Sequence, residues 1–228
     1  MHMQVTENLK KLLDEIPAHV KLVAVSKTRE PEEILAVYNQ SHRTFGENKA
    51  QELIAKQPQL PGDIEWHFIG HMQSNKVKYI APFVSLIESV DRMKILAEIN
   101  KQAAKNDRTI DCLLQFHIAE EETKFGLDPA EAEEILRSER FRKMNNIKIC
   151  GVMGMATFTD DEVQVRKEFR KLREIFDHLK KEFFSNSDHF KHISMGMSGD
   201  YRIAIEEGST IIRVGTAIFG ERQEGRSL

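Results

Sequence analysis

Eight short runs rich in β-branched and aromatic residues alternate along this chain with segments of helical periodicity. The runs are Lys21–Val25, Arg43–Gly46, Glu65–Ile69, Val84–Ser89, Ile110–Ile118, Ile147–Val152, Lys191–Ser194 and Thr210–Val214. Strands alternating with helices of this length build parallel βαβ units. Eight such units predict an α/β fold, a single closed (β/α)8 TIM-type barrel, and 228 residues fall within its usual range. An open doubly wound sheet is the alternative, weakened by the absence of a G-x-G-x-x-G turn after the first run. The spacing between strands predicts helices. Val165, Phe169, Leu172, Phe176, Leu179 and Phe183 form one stripe of a helix, with the charges of Val163–Glu182 on its solvated face. Ile95, Ile99 and Ala103 recur every fourth residue in Arg92–Ala104. Pro31-Glu32-Glu33 and Asp128-Pro129 read as helix starts, with Asp128 as a cap. Val5, Leu9, Leu12, Leu13 and Ile16 predict an extra helix before the first strand. The chain reads as one domain over residues 1–228, with the barrel proper at about 20–222.

Composition removes several partners. Lys and Arg number 33 against 36 Asp and Glu, a net charge of -3. No basic excess points to nucleic acid or an anionic membrane surface. No apolar run reaches the ~18 residues of a membrane span. Met1-His2-Met3-Gln4 opens without a charged region and an apolar stretch, so a cytoplasmic location is expected. The two cysteines, Cys112 and Cys150, sit in strand-like runs and read as reduced core thiols. His67 and His71 straddle a strand end and Gly70, so no metal site is expected, and no G-x-S-x-G elbow exists.

Barrel chemistry sits at the C-terminal ends of the strands. Polar and glycine-bearing strings fall there. Ser26-Lys27 follows the first run, Gly46-Glu47-Asn48 the second, and Gly70 to Lys76 the third. Ser194 to Asp200 follows the seventh, and Arg213-Val214-Gly215-Thr216 ends the eighth. An amine at a strand end facing the mouth is partly desolvated, which lowers its pKa and frees a nucleophile. Lys27 is placed for that, although position alone leaves an exposed loop lysine equally open. The glycine-bearing loops after strands seven and eight each precede a short helix, near Tyr201–Glu207 and Ala217–Phe219, and point to a phosphate site. Arg213 lies in an otherwise apolar strand and needs a partner, either a core carboxylate or a ligand in the mouth.

These strings carry a resemblance. They are Ala24-Val25-Ser26-Lys27-Thr28; Phe45-Gly46-Glu47-Asn48 with Gln51-Glu52; Trp66 to His71 with Gln73 to Lys76; Ile87 with Ser89-Val90-Asp91; Lys124-Phe125-Gly126; Ser194 to Ser198 with Asp200; and Arg213 to Thr216 with Ile218-Phe219-Gly220. In this order the chain, from about Lys21 to Arg222, resembles the pyridoxal phosphate homeostasis proteins, also called proline synthetase co-transcribed homologues. That family resembles the N-terminal barrel of alanine racemase. The resemblance implies a single barrel domain binding pyridoxal 5′-phosphate, with Lys27 as the Schiff-base lysine. It assigns the phosphate to Ser198, Gly199, Gly215 and Thr216, the pyridine nitrogen to Arg213, and the ring pocket to Asn48, His71 and Met195. Three places depart from the pattern: His117 where Asn is expected, Glu88 where His or Gln is more usual, and Gly154 to Thr157 after strand six.

Three functions remain open: a carrier that buffers the cofactor within the cell, an amino-acid racemase, and a Schiff-base aldolase on a sugar phosphate. A racemase needs two acid–base groups, one on each face of its substrate. In the racemases this barrel resembles, the second is a tyrosine from another domain, and this chain continues only 14 residues past Val214 (228 − 214). Tyr38 and Tyr79 read as helix packing residues, and Tyr201 lies near the phosphate loop. An arginine opposite the pyridine nitrogen discourages its protonation and makes the ring a poorer electron sink. The expectation is a carrier with little or no turnover, a monomer, meeting apo-enzymes at most transiently.

Overall fold

The computed structural model describes residues 2–120 and 125–221. Lys124 and Arg222, both within the resemblance, lie outside the described residues. Eight parallel strands close on one another in sequence order. They are β1 (Lys21–Val25), β2 (Thr44–Glu47), β3 (Glu65–Phe68), β4 (Leu86–Val90), β5 (Ile110–Phe116), β6 (Ile147–Gly154), β7 (His192–Ser194) and β8 (Ile211–Val214). The closing seam pairs Leu22 with Ile212 and Val23 with Arg213. The (β/α)8 barrel expected from the alternation is what the chain forms. No helix of the described residues is long and apolar enough to cross a membrane.

Side-chain alternation divides the core in two. Val23, Leu86, Leu113, Cys150, Met153 and Ile211 pack together inside the barrel. Their strand neighbours, such as Leu22, Ala24, Ile87, Cys112, Leu114, Ile212 and Val214, face outward into the larger core under the helices. Period-two alternation produces both layers, interrupted by register shifts in β4 and β6 that leave Cys150 and Met153 both facing inward. Cys112 and Cys150 are buried free thiols, as expected. Burial pushes Cys150 up to about 12, and Cys112 is pushed up as well.

The helices follow the predicted signals. The extra α1 (His2–Glu15) lies against α2 (Pro31–Tyr38) and the last short helix, α10 (Thr216–Phe219). Pro31 opens α2, and the Glu33 carboxylate accepts the Glu30 N–H at 3.1 Å. Between them in the chain come α3 (Ala50–Lys56), α4 (Ser74–Ile80), α5 (Met93–Lys105), α6 (Pro129–Arg137), α7 (Glu139–Arg142), α8 (Glu162–Glu182) and α9 (Tyr201–Glu206). Asp128 caps α6, accepting the Glu131 N–H at 2.8 Å.

Three expectations need correction. Val84 does not begin β4, because its N–H closes the preceding helical turn on Ile80. Tyr79 is 48% exposed and not a packing residue, since Val77 and Ile80 take the inward face of α4. The charges of α8 are not all solvated either. Glu168 is buried and accepts the Glu120 and Thr157 N–H groups at 2.9 and 2.6 Å, tying the loops after β5 and β6 together.

Candidate functional site at the barrel mouth

The C-terminal ends of β1, β2, β3, β7 and β8 bring the predicted residues to one rim. Lys27 is half-buried in the turn that leaves β1, closed by the Arg29 N–H donating to the Ser26 carbonyl at 3.0 Å. Across the seam, β8 runs beside β1 and delivers Gly215 against Val25. The Ser198 hydroxyl bridges the two glycine-bearing loops. It accepts the Gly215 N–H at 3.3 Å and the Ala217 N–H at 3.4 Å. Gly199 is exposed, and a Cβ placed on it would meet nothing within 4 Å. Thr216 is exposed at the first residue of α10. The loop after β7 folds tightly because Gly196 sits at φ 97°, where a side chain would meet the Ala204 Cβ at 2.6 Å.

Asn48, leaving β2, is half-buried, and its Oδ1 has no hydrogen-bond partner among the described residues. The next strand's loop presses on it. A Cβ at Gly70 would lie 2.0 Å from the Asn48 carbonyl oxygen, so only glycine fits there. His71 follows on the exposed rim, its Nδ1 3.4 Å from an Asp91 carboxylate oxygen and its ring 4.4 Å from the Phe125 ring. Met195 is set back from these residues. It is fully buried and packs in the outer core, because it follows inward-facing Ser194 by one position.

Below the rim, the barrel interior carries a polar layer. Arg213 is 4% exposed and donates through Nη1 to Ser194 Oγ at 2.6 Å and through Nη2 to the Gly154 carbonyl at 3.0 Å. Glu88, fully buried, places Oε2 3.8 Å from Arg213 Nη1. Its Oε1 lies 2.7 Å from His67 Nδ1, and its Oε2 accepts from Ser194 Oγ at 2.5 Å. Burial alone raises the Glu88 carboxyl. The His67 hydrogen bond and the charges of His67 and Arg213 outweigh it, so the group sits below the usual carboxylate range. Burial lowers the Arg213 guanidinium, opposed by Glu88 and Asp200. Of the two partners open to Arg213 in the sequence, the core carboxylate is present, and it is Glu88. The sequence showed Glu88 only as a departure from a pattern, and His67 only as half of a rejected metal pair. A polar, ionisable residue inside an otherwise apolar β-run was the signal available for both.

The three tyrosine hydroxyls differ in their surroundings. Tyr38 donates to Asp63 at 2.6 Å, and Tyr201 donates to Glu15 at 2.9 Å. Tyr79 stands exposed beside Lys78.

Comparison with known proteins identifies the family of this chain. The alanine racemase N-terminal domain family matches residues 3–223. The pyridoxal phosphate homeostasis protein of Aquifex aeolicus (strain VF5) is 43% identical over 204 residues, covering 89% of this chain and 87% of that protein. The human pyridoxal phosphate homeostasis protein is 35% identical over 212 residues, covering 89% and 76%. Among solved structures, PipY of Synechococcus elongatus PCC7942 with pyridoxal phosphate bound superposes with a TM-score of 0.87 at 32% identity, over 95% of this chain and 100% of that one. The alanine racemase of Bartonella henselae shares the fold, at 13% identity and a TM-score of 0.71 over 60% of its length. On the family match and on 43% identity across most of both chains, this chain belongs to the alanine racemase N-terminal domain family and to its pyridoxal phosphate homeostasis proteins.

Proposed function

We propose that this protein holds pyridoxal 5′-phosphate in the barrel mouth as an intracellular reserve of the cofactor, with little or no turnover. The observation that carries the reading is the meeting of two loops at Ser198, whose hydroxyl already gathers the Gly215 and Ala217 N–H groups beside the β1 turn that bears Lys27. Backbone N–H groups at the start of a short helix, in glycine-bearing loops, suit a phosphate. The residues present fit the group in a second respect. Asn48 Oδ1, without a hydrogen-bond partner among the described residues, offers an acceptor at the end of β2, the strand next to β1. Bound there, the cofactor would supply an aldehyde that a primary amine captures reversibly and a ring that draws electron density.

The chain's own residues divide the work. Lys27 holds the aldehyde carbon. Ser198, Gly199, Gly215 and Thr216 hold the phosphate. Asn48 and His71 line the ring, with Met195 backing that wall from the outer core. Arg213 faces the ring nitrogen as a cation, its charge balanced from below by Glu88. No tyrosine offers the second acid–base group a racemase needs, since Tyr38 and Tyr201 are bonded to Asp63 and Glu15. The relatives' names, and the pyridoxal phosphate in PipY, support the cofactor and the homeostatic role. Residues 1–228 act as one cofactor-binding domain, monomeric and cytoplasmic, and contacts with apo-enzymes are transient.

The test is the visible spectrum of the purified protein, followed by borohydride reduction and peptide mapping. The expected result is a yellow protein with a pyridoxyl group on Lys27 and none in Lys27→Ala. A colourless protein that takes up no added pyridoxal phosphate overturns the reading. Alanine racemisation that disappears in Lys27→Ala would replace the carrier with a catalyst.

A further inference from the structure

Lys27 stands in a turn whose neighbours on both sides are held by one buried cluster. The Ser26 carbonyl accepts from Lys56 Nζ at 2.9 Å, and the Thr28 N–H donates to Glu52 Oε2 at 2.7 Å. The same ammonium donates to Glu47 Oε1 at 2.8 Å and to Glu52 Oε2 at 3.2 Å, and the Ser26 hydroxyl donates to Glu47 Oε1 at 2.7 Å. Lys56 is 6% exposed and Glu47 fully buried. A lysine at the end of a helix ordinarily reaches water, and burying its charge is costly unless every donor is used. Here all three of its protons have acceptors. Thr28 adds a second unusual feature. It is β-branched, yet sits at φ 61°, a conformation that such residues avoid. Strained backbone persists only where the surroundings impose it. The Glu52 carboxylate, itself held by Lys56, is the group that grips that residue.

We infer that Glu52, Lys56 and Glu47 are positioning residues that fix the backbone on both sides of Lys27 and thereby aim its amine into the mouth. This rests on the proposed cofactor role of Lys27. A lysine has four flexible methylene links. Fixing where the side chain begins narrows where its amine can reach. The cluster acts on the backbone at residues 26 and 28, on either side of Lys27.

Glu52→Gln tests this with two readouts. The first is hydrogen exchange of the Thr28 amide in cofactor-free protein, expected to rise about tenfold or more on loss of a charged acceptor. The second is the rate at which Lys27 captures pyridoxal phosphate, read by borohydride trapping, expected to fall about tenfold while the melting temperature moves by only a few degrees. Adding Thr28→Gly to Glu52→Gln is expected to restore much of the capture rate, because glycine adopts positive φ without cost. Lys56→Met should reproduce the Glu52→Gln defect where it folds. Wild-type capture with an unchanged rate in Glu52→Gln overturns the inference and leaves the cofactor reading standing. A slower rate that Thr28→Gly does not relieve also overturns it. A wild-type chain that captures nothing overturns the cofactor reading, and this inference with it.

Discussion

Two buried ionic clusters flank the mouth, built from nearly the same parts. The inner one joins Arg213, Glu88, Ser194 and His67, and the outer one joins Lys56, Glu47, Ser26 and Glu52. Each has a buried cation, a fully buried carboxylate and a serine hydroxyl between strands. They differ in what the cation grips. Arg213 spends its planar fork on a hydroxyl and a carbonyl inside the barrel and keeps a carboxylate beneath it. Lys56 gathers a main-chain carbonyl and two carboxylates, one of which holds a main-chain amide. The inner cluster fixes a charge, and the outer one fixes a stretch of backbone. Guanidinium suits the first task because its geometry is rigid, and ammonium suits the second because it is a compact hub of three donors.

The carboxylates record the same contrast. Both Glu88 oxygens are engaged, and the group stays below its ordinary range. One Glu47 oxygen, Oε2, has no partner among the described residues, and burial pushes that carboxyl above its ordinary range despite Lys56. The sharpest way to break the comparison is therefore at the inner site. Arg213→Met removes one of the groups that offset the buried Glu88 charge, leaving it to His67 and Ser194, and should cost ~3 kcal/mol, the low end of the loss expected when one partner of a buried pair is removed. At this chain length that lowers the melting temperature by roughly 10 °C. Arg213→Met combined with Glu88→Gln should cost less than the sum of the two single changes, because the buried charge is gone. Denaturant unfolding measures both. Additive losses would mean the inner cluster is not a charge pair at all.

The sequence made these two clusters unequally visible. Alternating runs and helical stripes specify the barrel, since backbone period and burial are local consequences of residue order. Lys27, Asn48, His71 and Gly215 were legible for the same reason, since each lies within a few residues of a strand end, whereas Met195 also follows a strand yet packs in the outer core. Arg213 stood out as a charge in an apolar run, and its need for a partner could be stated without knowing which residue supplied it. Glu88 meets Arg213 across the barrel interior from 125 residues away (213 − 88), and Ser194 meets it from the neighbouring β7, 19 residues away (213 − 194). Such a pairing depends on closure of the barrel and leaves no local trace. Lys56 was less legible still. A lysine ending an amphipathic helix reads as a surface residue until α3 folds back over the ends of β1 and β2. Glu168 hid in the charged face of α8 for the same reason.

Lys56→Met should cost less than Arg213→Met, on the order of 2 kcal/mol at neutral pH. Glu47 is already biased toward its neutral form, so losing the ammonium can be met by taking up a proton, an escape that Glu88 lacks. Lowering the pH from neutral should shrink the Lys56→Met penalty. Unfolding curves at two pH values read this directly. A penalty equal to that of Arg213→Met, or one that grows in acid, would erase the distinction between the clusters.

The smallest effect separates the two glutamates by the sign of their pH dependence. Glu47 has its pKa raised in the folded state, so its contribution is fully present below the unfolded value and is lost as pH rises through the folded one. Glu88 has its pKa lowered, so its contribution is present above the unfolded value and is lost as pH falls through the folded one. Glu47→Gln should therefore flatten the decline in stability on the alkaline side of the ordinary carboxylate range. Glu88→Gln should instead flatten the acid limb. Stability measured by denaturant at closely spaced pH values distinguishes the two slopes. The substitutions act on the same residue type at the same depth, so opposite slopes can come only from what surrounds each carboxylate. Matching slopes would show that burial dominates both sites and that the partners of Glu88 contribute little.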